Sequence, residues 1–147
     1  MIDLNSVVLS SLQEVVSEIQ SNIERSGKNA TGRAKNSIEI QSDGYSYKVL
    51  GVPYFNTLED GREGGKVPKG FYYLIKEWAV NKGLFQSTDR ELSRFAYFTS
   101  RKIANYGTEQ HRLGKRTDIY TDTINNFIDT LTDKVSDFYM ININKML

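Results

Sequence analysis

Apolar positions recur every three or four residues near the start of the chain, at Leu4, Val8, Leu12, Val15, Val16, Ile19 and Ile23. That spacing predicts one apolar stripe on a helix over residues 5 to 26, capped by Asn5 or Ser6 and ended by Gly27. The period then changes. Residues 28–35 (KNATGRAK) are a polar linker. Ser37 to Gln41 alternates, Ser42-Asp43-Gly44 turns, and Tyr45 to Val49 alternates again. This predicts a β-hairpin with a short Asp-Gly turn. Phe55 to Leu58 either extends the second strand or adds a third.

Gly61 to Gly70 holds four Gly, three Lys or Arg and one Pro, the composition of a flexible loop. Helical spacing returns at Phe71, Leu74, Ile75, Trp78 and Ala79 and stops at Lys82-Gly83. A further helix is predicted from Asp89 to Tyr106, with Leu92, Phe95, Ala96, Thr99 and Ile103 inward. Ser87 or Thr88 caps it, and Glu91 completes a capping box if Thr88 is the cap. Gly107 closes it, and a basic loop runs from Thr108 to Asp118. The last helix begins near Thr121 and buries Ile124, Phe127, Ile128, Leu131 and Val135. The tail from Phe138 to Ile143 continues that helix or, by its alternation, forms a strand.

These elements make one domain over residues 1–147: an N-terminal helix at 5–26, a hairpin region at 36–60 and a helical region at 70–137. The expected fold class is α+β. A small antiparallel sheet, the hairpin plus one or two further strands, packs against three or four helices. Trp78, Leu58, Leu74 and Phe95 are expected in the core, with Trp78 against the sheet beside Ile38 and Val49. Gly51, Gly61 and Gly83 are expected turn residues, and Gly61, after Glu59-Asp60, is the one that calls for a positive φ.

Composition narrows the function classes. Nineteen basic and 18 acidic side chains leave a net charge of +1, so no global field attracts nucleic acid. The chain has no Cys, which excludes disulfides and thiolate metal sites. The N-terminus reads as no signal peptide, and no run of 18 apolar residues predicts a membrane span. Asn29-Ala30-Thr31 matches a glycosylation sequon by chance on this reading.

Catalytic constellations do not assemble. The lone His111 lacks the companions a metal needs. Glu59 and Asp60 are adjacent, and on an extended strand they point to opposite faces, so a turn-stabilising Asp before Gly61 explains them better than acid–base work. Neither glycine-bearing loop spaces its residues as a P-loop, and no Gly-x-Ser-x-Gly turn exists. No cofactor is expected.

Two basic loops stand out instead. Arg62, Lys66 and Lys69 dot the first; Arg112, Lys115 and Arg116 lie in the second, beside Arg101, Lys102 and His111. Such side chains face DNA phosphates, acidic residues of a neighbouring subunit, or water. Asp118, Asp122, Asp129, Asp133 and Asp137 load the last helix and supply acidic partners. Tyr72, Tyr73, Tyr97, Phe98 and Tyr106 cannot all face inward, and extra aromatics mark either core or a protein interface.

The order of these features resembles the HK97-gp10-type family of bacteriophage neck, head–tail connector and tail-completion proteins. After the first helix come Gly32, Arg33, Ser37 and Ile38, then Val49-Leu50-Gly51. Tyr54 to Arg62 (YFNTLEDGR) leads to the Pro68 loop, and Ile75 and Trp78 lie on a helix ending Asn81-Lys82-Gly83-Leu84. Ala96, Tyr97, Arg101, Lys102 and Ile103 lead to Gly107-Thr108, and Ile119-Tyr120 opens the last helix. The resemblance spans about residues 30 to 135. The chain departs from the family in having one Pro where two are common in the first loop. It also has His111 to Arg116 where many members carry a Pro-rich segment. The resemblance implies a non-enzymatic virion protein that forms a homo-oligomeric ring between portal and tail, around the channel the genome crosses. Its implied partners are itself, the portal or adaptor, tail proteins and, without sequence specificity, double-stranded DNA; a membrane is not among them. The competing expectations are a stand-alone nucleic-acid-binding module built on loop 107–116, and an enzyme.

Overall fold

The computed structural model describes residues 3–146. It combines helices with a two-stranded antiparallel hairpin, an α+β arrangement. Helix α1 spans Leu4–Arg25. Its cap is Asp3 rather than Asn5 or Ser6: the Asp3 carboxylate accepts from Ser6 N at 2.6 Å. Leu12, Val15, Ile19 and Ile23 of its stripe are buried, and Gly27 follows it with φ +70°. The polar linker contains a single helical turn, α2 (Arg33–Asn36).

Strands β1 (Glu39–Ser42) and β2 (Tyr47–Leu50) pair with Glu39 opposite Leu50 and Ser42 opposite Tyr47. The connection is therefore residues 43–46, longer than a two-residue Asp-Gly turn. Asp43 organises it by accepting from Tyr45 N at 2.9 Å and Ser46 N at 2.7 Å. These bonds hold its carboxyl below the usual range. Among the described residues the sheet has no third strand. The segment expected to supply one, Phe55 to Leu58, lies at the start of helix α3 (Asn56–Asp60). Pro53 offers no N–H to a ladder, so pairing ends before it. Val52 N donates instead to Ser37 Oγ at 3.1 Å. Gly51 sits in this close packing, with the Phe55 ring 3.1 Å from where a Cβ would stand.

Helices α4 (Phe71–Asn81) and α5 (Arg90–Tyr106) form a hairpin. Gly83 follows α4 with φ +71°. Asp89 precedes α5 in the cap position, where Ser87 or Thr88 was expected, and its carboxylate accepts from Gln86 N at 2.7 Å. A short α6 (Glu109–Arg112) lies inside the second loop. Helix α7 (Thr121–Met146) runs through the tail, so Phe138 to Ile143 is helix and not strand.

The buried side chains form two groups. Val15, Ile19 and Ile23 of α1 meet Ile119 just before α7, with Ile38, Phe55, Leu58, Tyr120 and Phe127 packed around them. Ile75 and Ala79 of α4 and Leu92 and Ala96 of α5 are buried in the helical hairpin, which Phe85 and Phe95 flank with ring centroids 5.0 Å apart. Leu58 and Phe95, expected in the core, are half-buried at its edge. Leu74 and Trp78 are not core: they are 38% and 39% exposed, as is Val49 at 39%. The reason is geometric. The hairpin of helices does not lie on the sheet, so the flank of α4 that carries Leu74 and Trp78 stays open while the adjacent Ile75–Ala79 flank meets α5. Trp78→Ala is accordingly expected to cost about 1–2 kcal/mol in chemical denaturation, not the 3–5 kcal/mol of a fully buried Trp. The same phase shift affects α7, where Thr123 is buried and Ile124 and Ile128 are exposed.

Candidate functional site

The two glycine-bearing loops, expected to be separate flexible segments, are joined to each other. The first begins at Gly61, whose φ of +78° bears out the positive φ expected there. The residue ends α3 rather than turning a strand. Arg62 and Thr108 then pair reciprocally: Thr108 N donates to Arg62 O at 2.8 Å, and Arg62 N donates to Thr108 Oγ1 at 2.9 Å. Three residues along the first loop, Gly65 N donates to Ala104 O near the end of α5 at 2.6 Å. The backbones come this close because both sides lack side chains. A Cβ on Gly61 would stand 2.6 Å from Thr108 Oγ1, and one on Gly107 would stand 2.5 Å from Arg62 O.

Glu59, in the last turn of α3, reaches from this junction to the start of α7. Its side chain is 1% exposed. Oε2 accepts from the backbone N–H groups of Ile119 at 3.2 Å, Tyr120 at 2.8 Å and Thr121 at 3.1 Å. Those groups are the orphan donors of a helix N-terminus, where negative charge is also favoured. Oε1 faces Arg116 Nε at 3.7 Å. The Glu59 carbonyl accepts from Thr117 N at 2.9 Å and from the Gln110 side-chain amide. Burial alone would push the carboxyl up; the bonds from Thr121, Tyr120 and Ile119 outweigh it and hold the group below its ordinary range. The Glu59 charge and burial in turn raise the Tyr120 phenol, burial being the larger effect. Glu59 is thus a structural tie between α3, the second loop and α7.

The six basic candidates divide. Arg62 is partly buried: its Nη2 donates to Lys66 O at 2.7 Å and its guanidinium lies 5.6 Å from the Phe71 ring centroid. Arg116, expected to meet a neighbouring subunit or DNA, is engaged within the chain, donating to Asp122 at 2.8 Å beside Glu59. The hydrogen bond and charge of Asp122 push its guanidinium up further. Lys66, Lys69, Arg112 and Lys115 are exposed. The loops that carry these four are joined at Arg62 and Thr108.

His111 lies in α6, where its backbone N–H caps onto Thr108 Oγ1, and among the described residues no group of three His, Cys, Asp or Glu could hold a metal. Nor is any helix among them long and apolar enough to cross a membrane. A hollow of about 100 Å³ lies between α1 and α7, bordered by Ser11, Thr123 and Lys134, away from both loops.

Glu59 and Asp60 do not alternate on a strand: both lie in helix α3, which aims Glu59 at the start of α7. The Phe55–Leu58 spacing of three, followed by a carboxylate, was the available signal of a helical turn. No protein-family model, no curated protein and no solved structure matches this chain.

Proposed function

We propose that this protein is a structural virion component of a tailed bacteriophage, a neck or head–tail connector subunit that forms a homo-oligomeric ring between portal and tail around the DNA channel. The observation that carries the reading is the amount of large apolar surface left open on a small chain. Tyr73, Trp78, Phe98, Ile128 and Tyr139 are all exposed, on several different elements. Scattered exposed apolar residues are ordinary, but aromatic side chains repeated along helix faces are the composition of interface cores. The β-hairpin supports the same reading. Both of its edges are unpaired among the described residues, and a lone two-stranded sheet is marginal in water unless something packs against it.

In the ring, the joined loops present Lys66, Lys69, Arg112 and Lys115 to the channel or to a neighbour. Exposed pairs of this kind add about 0–1 kcal/mol each, so they set register more than strength. Reversing Lys69 and Lys115 to Glu is therefore expected to impair assembly or genome passage while thermal unfolding of the subunit is unchanged. Infectious particles formed at the normal yield would make these side chains a solvated surface only. Arg116 is unsuitable for that experiment, since its reversal would disturb Glu59.

Native mass measurement and negative-stain imaging of the purified protein, alone and with the portal of its own phage, test the assignment. Rings on the portal are expected. A monomer that ignores the portal but binds DNA with a steep salt dependence would instead favour a nucleic-acid-binding module.

A further inference from the structure

The outer face of α5 carries cations around an aromatic pair, and the open side of α7 carries carboxylates along one flank and apolar side chains along the other. On α5, Arg94, Tyr97, Phe98, Arg101 and Lys102 are all exposed. Positions 94, 98, 101 and 102 follow helical spacing, so the cations surround the aromatic pair on one side of the helix. Arg101 lies 5.6 Å from the Tyr97 ring centroid, and Tyr97 and Phe98 pack edge to face at 5.4 Å. On α7, Asp129, Asp133 and Asp137 form an exposed acidic row at four-residue spacing. Ile128, Tyr139 and Ile143, exposed by 55%, 52% and 54%, lie about a quarter turn or more around the helix from that row, on the same open side. These three are distinct from the α7 seam that meets α1 through Thr123 and Phe127. Among the described residues, none of these Asp, Arg or Lys side chains forms an ion pair within the chain.

Both faces are open in the single chain, so neither covers the other. We propose that they cover each other between copies: the acidic–apolar face of α7 docks on the basic–aromatic face of α5 of the next subunit. The two faces differ, so the contact is heterologous, and repeating it closes a ring or extends a filament. This gives the subunit contact of the ring proposed above and rests on that reading for its closure, though not for the pairing of faces. The apolar rows supply the attraction, and the flanking charges fix register and exclude like-to-like docking of α7 on α7 or α5 on α5.

The absence of cysteine makes the contact testable by cross-linking. Phe98→Cys and Ile128→Cys are prepared separately and together, treated with a short bis-maleimide and resolved by mass. The expected result is a single cross-linked dimer when the two separate variants are mixed, and a ladder beyond dimer from the double variant. Each separate variant alone should stay monomeric on the gel. In parallel, Arg94→Glu with Arg101→Glu, and Asp129→Lys with Asp133→Lys, should each weaken self-association roughly tenfold in sedimentation. Combining all four changes should restore it.

Dimers from Ile128→Cys alone would mean α7 packs on α7 and would overturn the proposal, as would a wild type that stays monomeric at every concentration. Failure of the four-fold swap to restore association would show that the faces are not partners. If Arg94→Glu with Arg101→Glu abolishes binding of a random-sequence DNA duplex yet leaves self-association intact, the α5 face is a phosphate-binding surface instead. Rings seen on the portal without the mixed cross-link would remove this contact and keep the connector reading. The mixed cross-link without portal binding would do the reverse.

Discussion

Glu59→Ala is expected to destabilise the protein by about 2–4 kcal/mol in urea denaturation at neutral pH. The substitution leaves the N–H groups of Ile119, Tyr120 and Thr121 without the acceptor they share, and it strips Arg116 of one of its two carboxylates. Glu59→Gln keeps the shape and one carbonyl oxygen but removes the charge at the helix N-terminus, so its effect should be smaller, about 1–2 kcal/mol. The pH dependence separates charge from shape. The folded-state carboxyl is held below its ordinary range, so its contribution is fully present above the ordinary carboxylate range of the unfolded chain. It is lost as pH falls through the lower folded value. Wild-type stability should therefore drop more steeply than that of Glu59→Gln as pH is lowered from about 6 to 3. Parallel pH profiles for the two proteins would mean that the carboxylate is not what holds the start of α7.

The helices were legible where a single face decides them. The α1 stripe fell in register with its burial, and α4 and α5 began and ended within a residue or two of the positions their spacing and glycines imply. What failed was the assignment of faces on helices apolar on more than one side. Phe71-Tyr72-Tyr73-Leu74-Ile75 contains apolar residues at nearly every angle, so periodicity cannot say whether the Ile75 flank or the Leu74–Trp78 flank faces inward. The same ambiguity displaced Ile124 and Ile128 of α7. Of these positions, Ile128 is the one that enters the proposed contact. The loops failed for a different reason. Glycine and lysine content signals freedom of the chain, but backbone pairing across 46 positions, as between Arg62 and Thr108, leaves no local trace. Glu59 was missed because its partners lie about 60 residues away, and only the helical turn of α3 aims it at them.

Gly107→Ala is expected to be among the most damaging single-methyl changes in the molecule, costing about 3 kcal/mol or more. Two penalties coincide there. A φ of +80° with ψ of 179° lies in a region that is essentially restricted to glycine. The new Cβ would also stand 2.5 Å from Arg62 O and 2.9 Å from Gly64 N, both backbone atoms that cannot rotate aside. Gly83→Ala provides the control. Its φ of +71° is also positive, but nothing lies within 4 Å of the added methyl, so about 1 kcal/mol is expected. The excess cost at Gly107 combines its glycine-only φ/ψ with the clash at the loop junction. Because α5 and α7 each have their own packing partner, the damage at Gly107 should be local before it is global. Amide exchange at Gly65 and Thr108, which donate across the junction, should accelerate in Gly107→Ala under conditions where the buried amides of α1 remain protected. If the proposed ring uses the four exposed cations of the joined loops as one surface, this variant should also lose assembly at temperatures where it is still folded. Equal destabilisation of Gly83→Ala and Gly107→Ala, with exchange at Gly65 and Thr108 unaltered, would mean that the two loops do not depend on each other.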